Sequence, residues 1–162
     1  MRIKIFGVAV VAIISMSNAA WADGAPNCQL VVLENEEYDR ALASCTKAAE
    51  QCGAAAKYLL AHMYQFGVRV VEDYSESERW HKLAAAEGSI CAQRDLGWRY
   101  SFGEGVVQDY VKAHMWYNVA AANGFDSAVM DRDKVAKLMT AEQIAEAQKR
   151  ASACVDSNYK NC

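Results

Sequence analysis

The feature that most constrains this chain is an internal repeat with a period of 36 residues. The segments 56–88 and 92–124 align without a gap and share 14 of 33 residues. The identities fall in the same order in both segments, and they include Tyr, Phe-Gly, Val-Val, Asp-Tyr, Trp, Ala-Ala-Ala and Gly. A period of this length is typical of stacked helical hairpins, in which each unit covers the apolar face of the next.

Each unit contains two predicted helices. Apolar and small residues recur at helical spacing in the first half of both units, and a glycine ends each of these helices, at Gly67 and Gly103. In the first unit, Ser75 followed by Glu78 predicts a capping box at the start of the second helix. The equivalent helix of the second unit is predicted to begin near Tyr110.

Small and aromatic residues predict how the helices pack. Gly97 and its counterpart Ala61 indicate a close helix approach, since glycine within a helix otherwise costs about 1 kcal/mol. The paired valines of the two connections are predicted to fill the gap between the helices. Repetition at 36 residues indicates a core position for four aromatic residues: Tyr64, Trp80, Tyr100 and Trp116.

The repeats extend into a larger array. We predict a half repeat at 38–54, full repeats at 55–90 and 91–126, C-terminal capping helices at 127–154 and a tail at 155–162. Thr140 with Gln143 predicts a second capping box in this last part. The predicted fold is all-α, a short α/α solenoid of about six antiparallel-paired helices.

The first 22 residues have the order of a secretory signal peptide: basic residues, an apolar run and Ala20-Trp21-Ala22. A membrane anchor is the alternative, but the apolar run is short for a span. We therefore expect cleavage after Ala22, an N-terminal extension at 23–37, a periplasmic or secreted location, and no stable membrane insertion after cleavage.

All six cysteines follow the predicted signal peptide, and an even number in an exported chain indicates disulfides. Two local pairs are predicted, Cys45–Cys52 and Cys154–Cys162, which leaves Cys28 and Cys91; six cysteines allow 15 pairings. Zinc is the alternative, but Cys-x-x-Cys does not occur and the histidines are dispersed. We expect no metal and no cofactor.

The charge balance favours a protein partner. Without Arg2 and Lys4 the 17 basic residues fall to 15, against 20 acidic ones, a net charge near −5. No basic cluster follows the predicted signal peptide, which argues against nucleic acid and anionic membranes as partners.

The repeat resembles the Sel1-like repeat family, a relative of the tetratricopeptide repeats, from about Tyr38 to Ala153. The first unit departs from the family pattern at Ala61 and Arg69, where glycine is usual. The segment "MTAEQIAEAQKRA" is similar to the closing segment of bacterial members. The second unit carries the pattern at Ala92, Leu96-Gly97, Tyr100, Gly103, Gly105-Val106, Asp109, Trp116, Ala120-Ala121 and Gly124.

The resemblance implies a scaffold that binds other proteins, here a periplasmic regulator or an immunity protein that neutralises an effector. The alternative is a small enzyme or binder acting on a cell-wall or β-lactam-like substrate. The serines lack a spaced histidine and acid, so no catalytic residue is assigned.

Binding residues are expected on the first helix of each unit, which by analogy with tetratricopeptide stacks lines the concave surface. Trp98 is interpreted either as an interface residue or as a packing partner of His62, and Arg94 either as an interface residue or as a partner of Asp95. His81 and His114 are predicted to lie on the surface. The candidate protein-binding residues are Tyr58, His62, Gln65, Arg94, Trp98, Arg99 and Ser101.

Overall fold

The computed structural model describes residues 53–162, and this part of the chain is entirely helical apart from its turns. The predictions for the signal peptide, the N-terminal extension, Cys28, Cys45 and Cys52, and nearly all of the half repeat, lie outside the described residues. The six helices of residues 53–162 are α1 (Ala54–Phe66), α2 (Tyr74–Ala86), α3 (Ile90–Phe102), α4 (Tyr110–Ala122), α5 (Ser127–Ala136) and α6 (Ala141–Asp156).

The helices pack in chain order. Helix α1 packs on α2 and α3 packs on α4, so that each predicted repeat is one helical pair. Helix α2 also contacts α3, while α5 and α6 both pack on α4 and cover the end of the array. The all-α repeat solenoid expected from the sequence is confirmed.

Glycines end the first helix of each repeat as predicted. Gly67 and Gly103 adopt left-handed backbone conformations, with φ of 63° and 72°. Two residues further along, Gly105 of the second repeat and Arg69 of the first also have positive φ, of 67° and 60°. The two loops therefore share one backbone path, although the first carries an arginine where the second has glycine.

The predicted capping box of Ser75 and Glu78 is wrong, because α2 begins at Tyr74, two residues before the start that a cap at Ser75 requires. Asp73 is its cap, and its Oδ1 accepts hydrogen bonds from the backbone N–H groups of Ser75 and Glu76 at 2.9 and 3.0 Å. A carboxylate at this position also stabilises the positive end of the helix dipole.

Other helix starts follow the sequence more directly. Asp109 caps α4, as its repeat position requires, and Ser89 caps α3. The second predicted capping box is confirmed at α6: the Thr140 hydroxyl accepts from the backbone of Gln143, whose side chain accepts from the backbone N–H of Thr140.

A close approach between α3 and α4 explains Gly97. A Cβ atom at this position would lie 2.6 Å from Cδ1 of the buried Tyr117 ring, so only glycine fits. In the first repeat the equivalent positions are occupied by Ala61 and His81. A smaller ring in α2 thus accompanies a larger residue in α1, and the predicted need for a small residue is confirmed at Gly97.

The core contains three of the four repeated aromatic residues, because Trp80, Tyr100 and Trp116 are buried. Tyr64 is only partly buried, at the edge of a cluster around Trp80. The valine prediction holds for half of the residues. The first valine of each pair packs against the core, whereas the second valine, Val71 or Val107, is exposed.

The tail returns to the body of the protein. Cys154 and Cys162 are paired in a disulfide with their Cα atoms 4.7 Å apart. Tyr159 donates a hydrogen bond from its hydroxyl to Oδ1 of Asn123 at 2.7 Å, which ties the tail to the end of α4. Cys91, at the start of α3, is buried and is also disulfide-bonded.

Within residues 53–162, none of the helices combines the length and the apolar character that crossing a membrane requires.

Candidate functional site

A groove of about 380 Å³ lies between the first helices of the two repeats, α1 and α3. Six of the seven predicted binding residues line it. The seventh, Ser101, does not: it is buried on the other side of α3, where its hydroxyl donates to the backbone carbonyl of Trp98 and lies 3.4 Å from the Tyr117 hydroxyl. The lining residues are Tyr58, His62, Gln65, Phe66, Arg94, Asp95, Trp98, Arg99 and Glu104.

Two aromatic pairs, one on each first helix, occupy equivalent repeat positions. The rings of His62 and Phe66 are stacked, with centroids 5.8 Å apart. Thirty-six residues later, the rings of Trp98 and Phe102 are 5.0 Å apart. Trp98 therefore has its ring partner on its own helix, and its side chain remains 38% exposed.

Phe66, which lines the groove, was missed as a site residue, and so was Phe102, which packs against Trp98 beside it. Phe66 and Phe102 are 59% and 67% exposed. Each is the last residue of its helix, and the two occupy the same repeat position. The sequence carried a signal for them, because a core position is already supplied by the tyrosine two residues earlier. Large apolar side chains left in water at repeated positions indicate a contact surface rather than packing.

Asp95 is the centre of the groove floor. Its Oδ2 accepts a hydrogen bond from the Tyr58 hydroxyl at 2.8 Å, and its Oδ1 lies 2.9 Å from Nη1 of Arg94. The His62 Nε2 atom lies 3.3 Å from the same Oδ2. Burial alone would raise the pKa of Asp95, but His62 and Arg94 outweigh it and hold the pKa below its ordinary value. Arg94 thus lines the groove and also pairs with Asp95.

Tyr58 is held as a hydrogen-bond donor. Burial, together with the adjacent Asp95 carboxylate, raises the pKa of the Tyr58 hydroxyl far above its ordinary value. The hydroxyl therefore stays protonated and fixes the carboxylate that it contacts. This bond joins α1 of one repeat to α3 of the next.

Arg99 contributes less to the open surface than the sequence indicated. Its side chain is almost fully buried, and the guanidinium donates to the Ser77 hydroxyl at 3.2 Å and to the Tyr74 carbonyl at 3.3 Å. Both acceptors belong to α2, so Arg99 crosses the interface between the repeats. It lines one side of the groove and also holds the two repeats together.

The prediction that His81 and His114 are surface residues is wrong. Both are buried, because the second helix of each repeat turns these positions inward. The His81 Nδ1 atom lies 2.9 Å from the Ser77 carbonyl, and burial lowers the pKa of His81 to about 3. His81 is the repeat equivalent of Tyr117, which is also buried.

Ser77, His81 and Asp95 form a chain of residue types found in nucleophilic enzymes, but the geometry is different. Ser77 has no exposed surface, and its hydroxyl accepts a hydrogen bond from Arg99. The His81 Nδ1 atom faces the Ser77 carbonyl and therefore carries a proton. It cannot accept the proton of the Ser77 hydroxyl, as the base of a catalytic triad does. This group of residues does not present a nucleophile to the groove.

One group within the described range brings metal-binding atoms together. The imidazole nitrogens of His62 and His81 and the carboxylate of Asp95 lie within 4.8 Å of one another. The three residues come from α1, α2 and α3, so this convergence depends on the packing of the first repeat against the second.

Comparison with known proteins agrees with the repeat structure. The Sel1 repeat family matches at residues 54–89 and 92–125. The chain is also similar to a solved structure described as a protective antigen present in uropathogenic Escherichia coli strains and displaying an SLR fold. The TM-score is 0.66 with 28% sequence identity, over 76% of this chain and 28% of that chain. No curated protein matches the chain.

The chain spans little more than a quarter of the length of that structural neighbour. Sel1 repeats are in general protein–protein interaction modules. Two family matches in the 36-residue register, together with helical pairs that follow the same register, identify the architecture. The chain belongs to the Sel1-like repeat family.

Proposed function

We propose that this chain is an exported interaction module that binds a segment of another protein in the groove between α1 and α3. The observation that carries the proposal is an aromatic pair at equivalent positions on each first helix: His62, Phe66 and Trp98 line the groove. Phe102, the partner of Trp98, is exposed beside it. Aromatic residues at the centre of an interface commonly supply most of the binding energy.

The apolar surface in the groove and directly beside it is large enough to matter energetically. Phe66, Trp98 and Phe102 are 59%, 38% and 67% exposed. For side chains of this size, these fractions correspond together to roughly 300 Å² of apolar surface. Complete burial by a partner would contribute at most about 7 kcal/mol before the entropy of association is subtracted.

Polar side chains surround the aromatic surface of the groove. Gln65 donates to Glu104 at 2.7 Å, and this bond links α1 to the loop after α3. Arg94 is half-buried, and its charge is partly neutralised by Asp95. Such a rim suits a partner segment that inserts one or two apolar side chains and makes hydrogen bonds at its edges.

For the biological role, we propose a periplasmic regulator or an immunity protein that neutralises an effector, acting in the periplasm or outside the cell. The signal-peptide order of residues 1–22 and the six cysteines support export. The description of the structural neighbour as a protective antigen supports an exported location as well.

The proposal is tested by capturing partners from an envelope fraction with the wild-type protein and two double variants. Trp98→Ala/Phe102→Ala removes the Trp98 ring from the groove, together with the Phe102 ring that packs against it. Val107→Ala/Leu138→Ala is the matched control, because both of its residues are exposed and apolar but neither lines the groove. Circular dichroism establishes that all three proteins retain their helices.

We expect one protein to be captured by the wild type and the control variant but lost with the groove variant. The partner's identity then separates the two roles, because an immunity protein binds a toxic effector and a regulator binds a sensor or envelope protein. Equal capture by all three proteins would contradict the choice of groove, and capture by none would contradict the proposed function.

A further inference from the structure

The arrangement of His62, His81 and Asp95 goes beyond a protein-binding groove. These residues lie where the two repeats meet, and their three candidate ligand atoms are within 4.8 Å of one another. No sequence motif joins them, because they are separated by 19 and 14 residues and belong to three different helices.

The hydrogen bonds of His81 determine which of its nitrogens is available. Its Nδ1 atom lies 2.9 Å from the Ser77 carbonyl, which can only accept, so Nδ1 carries the proton. The Nε2 atom of the neutral ring then has a free lone pair. That atom is completely buried, has no hydrogen-bond partner, and lies 3.9 Å from Oδ2 of Asp95.

His62 directs a second nitrogen at the same oxygen. Its Nε2 lies 3.3 Å from Asp95 Oδ2, but neither of its ring nitrogens makes a hydrogen bond of good geometry. The first repeat thus provides two imidazoles and the second repeat a carboxylate, around one buried point. An unsatisfied lone pair beside a carboxylate is costly in a buried place unless a cation is shared between them.

We propose that His62, His81 and Asp95 bind a divalent transition-metal ion, of which Zn²⁺ is the representative, at the junction of the two repeats. Two imidazole nitrogens and one carboxylate oxygen suit zinc, cobalt, nickel or copper better than magnesium or calcium. This proposal is independent of the protein partner, since it concerns only the ion and residues of this chain.

The surroundings resemble those of established metal sites. Metal-binding histidines commonly donate their second nitrogen to a backbone carbonyl, as His81 does to Ser77. Metal-binding carboxylates are commonly held by further hydrogen bonds, as Asp95 is by the Tyr58 hydroxyl at 2.8 Å. Ligands of one tetrahedral zinc ion lie roughly 3.4 Å apart, so only a small inward movement of the side chains is required.

His62 and Asp95 line the groove, whereas His81 lies behind them. The fourth coordination position is therefore directed toward the groove, where a water molecule completes the site. The positive charge of Arg94 repels a cation bound at Asp95, because its guanidinium lies 2.9 Å from the other oxygen of this carboxylate. Its charge lowers the affinity for a cation, and this gives the test a variant with a gain of binding.

The test measures Zn²⁺ binding by isothermal titration calorimetry, using protein without a histidine tag and without reductant. The visible spectrum with Co²⁺ reports the type and number of ligands. His62→Ala removes a ligand that has some exposure, so the fold should persist. His114→Gln is the matched control, because His114 is also a buried helical histidine but lies outside the cluster.

We expect one ion per chain, binding at least about 100-fold weaker in His62→Ala, and unchanged binding in His114→Gln. Arg94→Gln is expected to tighten binding about tenfold by removing a nearby positive charge. Trp98→Ala should bind the ion normally, which separates this site from the partner groove. No saturable binding to the wild type, or binding of equal strength in His62→Ala, would overturn the proposal.

Discussion

Replacing Gly97 by alanine is expected to destabilise the protein, although alanine is the better helix former. An added Cβ would lie 2.6 Å from Cδ1 and 2.9 Å from Cγ of Tyr117. The Tyr117 ring is almost fully buried and its hydroxyl is 3.4 Å from that of Ser101, so it has little room to move away. Overpacking of this kind costs about 1–3 kcal/mol, whereas the gain in helix propensity is about 1 kcal/mol.

The balance is a loss of up to roughly 2 kcal/mol in the free energy of unfolding, equivalent to up to about 8 °C in Tm for a protein of this size. Urea and thermal unfolding followed by circular dichroism measure it. Adding Tyr117→His recreates the Ala61 and His81 pair of the first repeat, and we expect the double variant to be more stable than the two single effects predict. A Gly97→Ala protein that is more stable than the wild type would refute the close approach of α3 and α4.

Three further predictions concern the helix caps, the tail and a buried histidine. Asp73→Ala should lower the free energy of unfolding by about 1 kcal/mol, whereas Ser75→Ala should have little effect. Equal losses for the two variants in urea unfolding would contradict the assignment of Asp73 as the cap. Cys162→Ser opens a loop with a sequence separation of 8, and should lower stability by up to about 2.5 kcal/mol and increase hydrogen exchange in the tail; unchanged exchange there would argue against the disulfide. Burial holds the pKa of His114 below its ordinary value, so the unfolded chain takes up a proton near pH 6.5 that the folded chain refuses. Stability is therefore expected to be constant above that pH and to fall below it, and His114→Gln should reduce the fall; an identical pH profile in the variant would contradict this.

Sequence repetition predicted the parts of the fold that each repeat must make in the same way. Gly67, Gly103 and the buried tryptophans follow from the period, because a residue retained in both copies occupies the same place in both. The period alone did not distinguish neighbouring caps, since Asp73 and Ser75 are both good helix-start residues. It was the recurrence of aspartate at position 109, and not of serine at 111, that marked the true cap.

The sequence repeat also predicted part of the candidate site. Residues that the repeat leaves free were assigned to the surface of the first helices, and six of those seven line the groove. Phe66 was missed because binding residues were sought only at positions where the two repeats differ, and Phe66 is identical in both. The His62, His81 and Asp95 cluster could not be predicted, because it depends on how α2 of one repeat faces α3 of the next.

The most direct test of the binding groove is photo-cross-linking from defined positions. A photoreactive benzoylphenylalanine replaces Phe66 or Trp98 at the groove, or Leu138 as an exposed control on the far part of the chain. We predict that one partner protein is cross-linked from both groove positions and not from position 138, and that mass spectrometry places both links in a single segment of that partner. Cross-links that form equally from position 138, or none from the groove in the presence of a bound partner, would contradict the account.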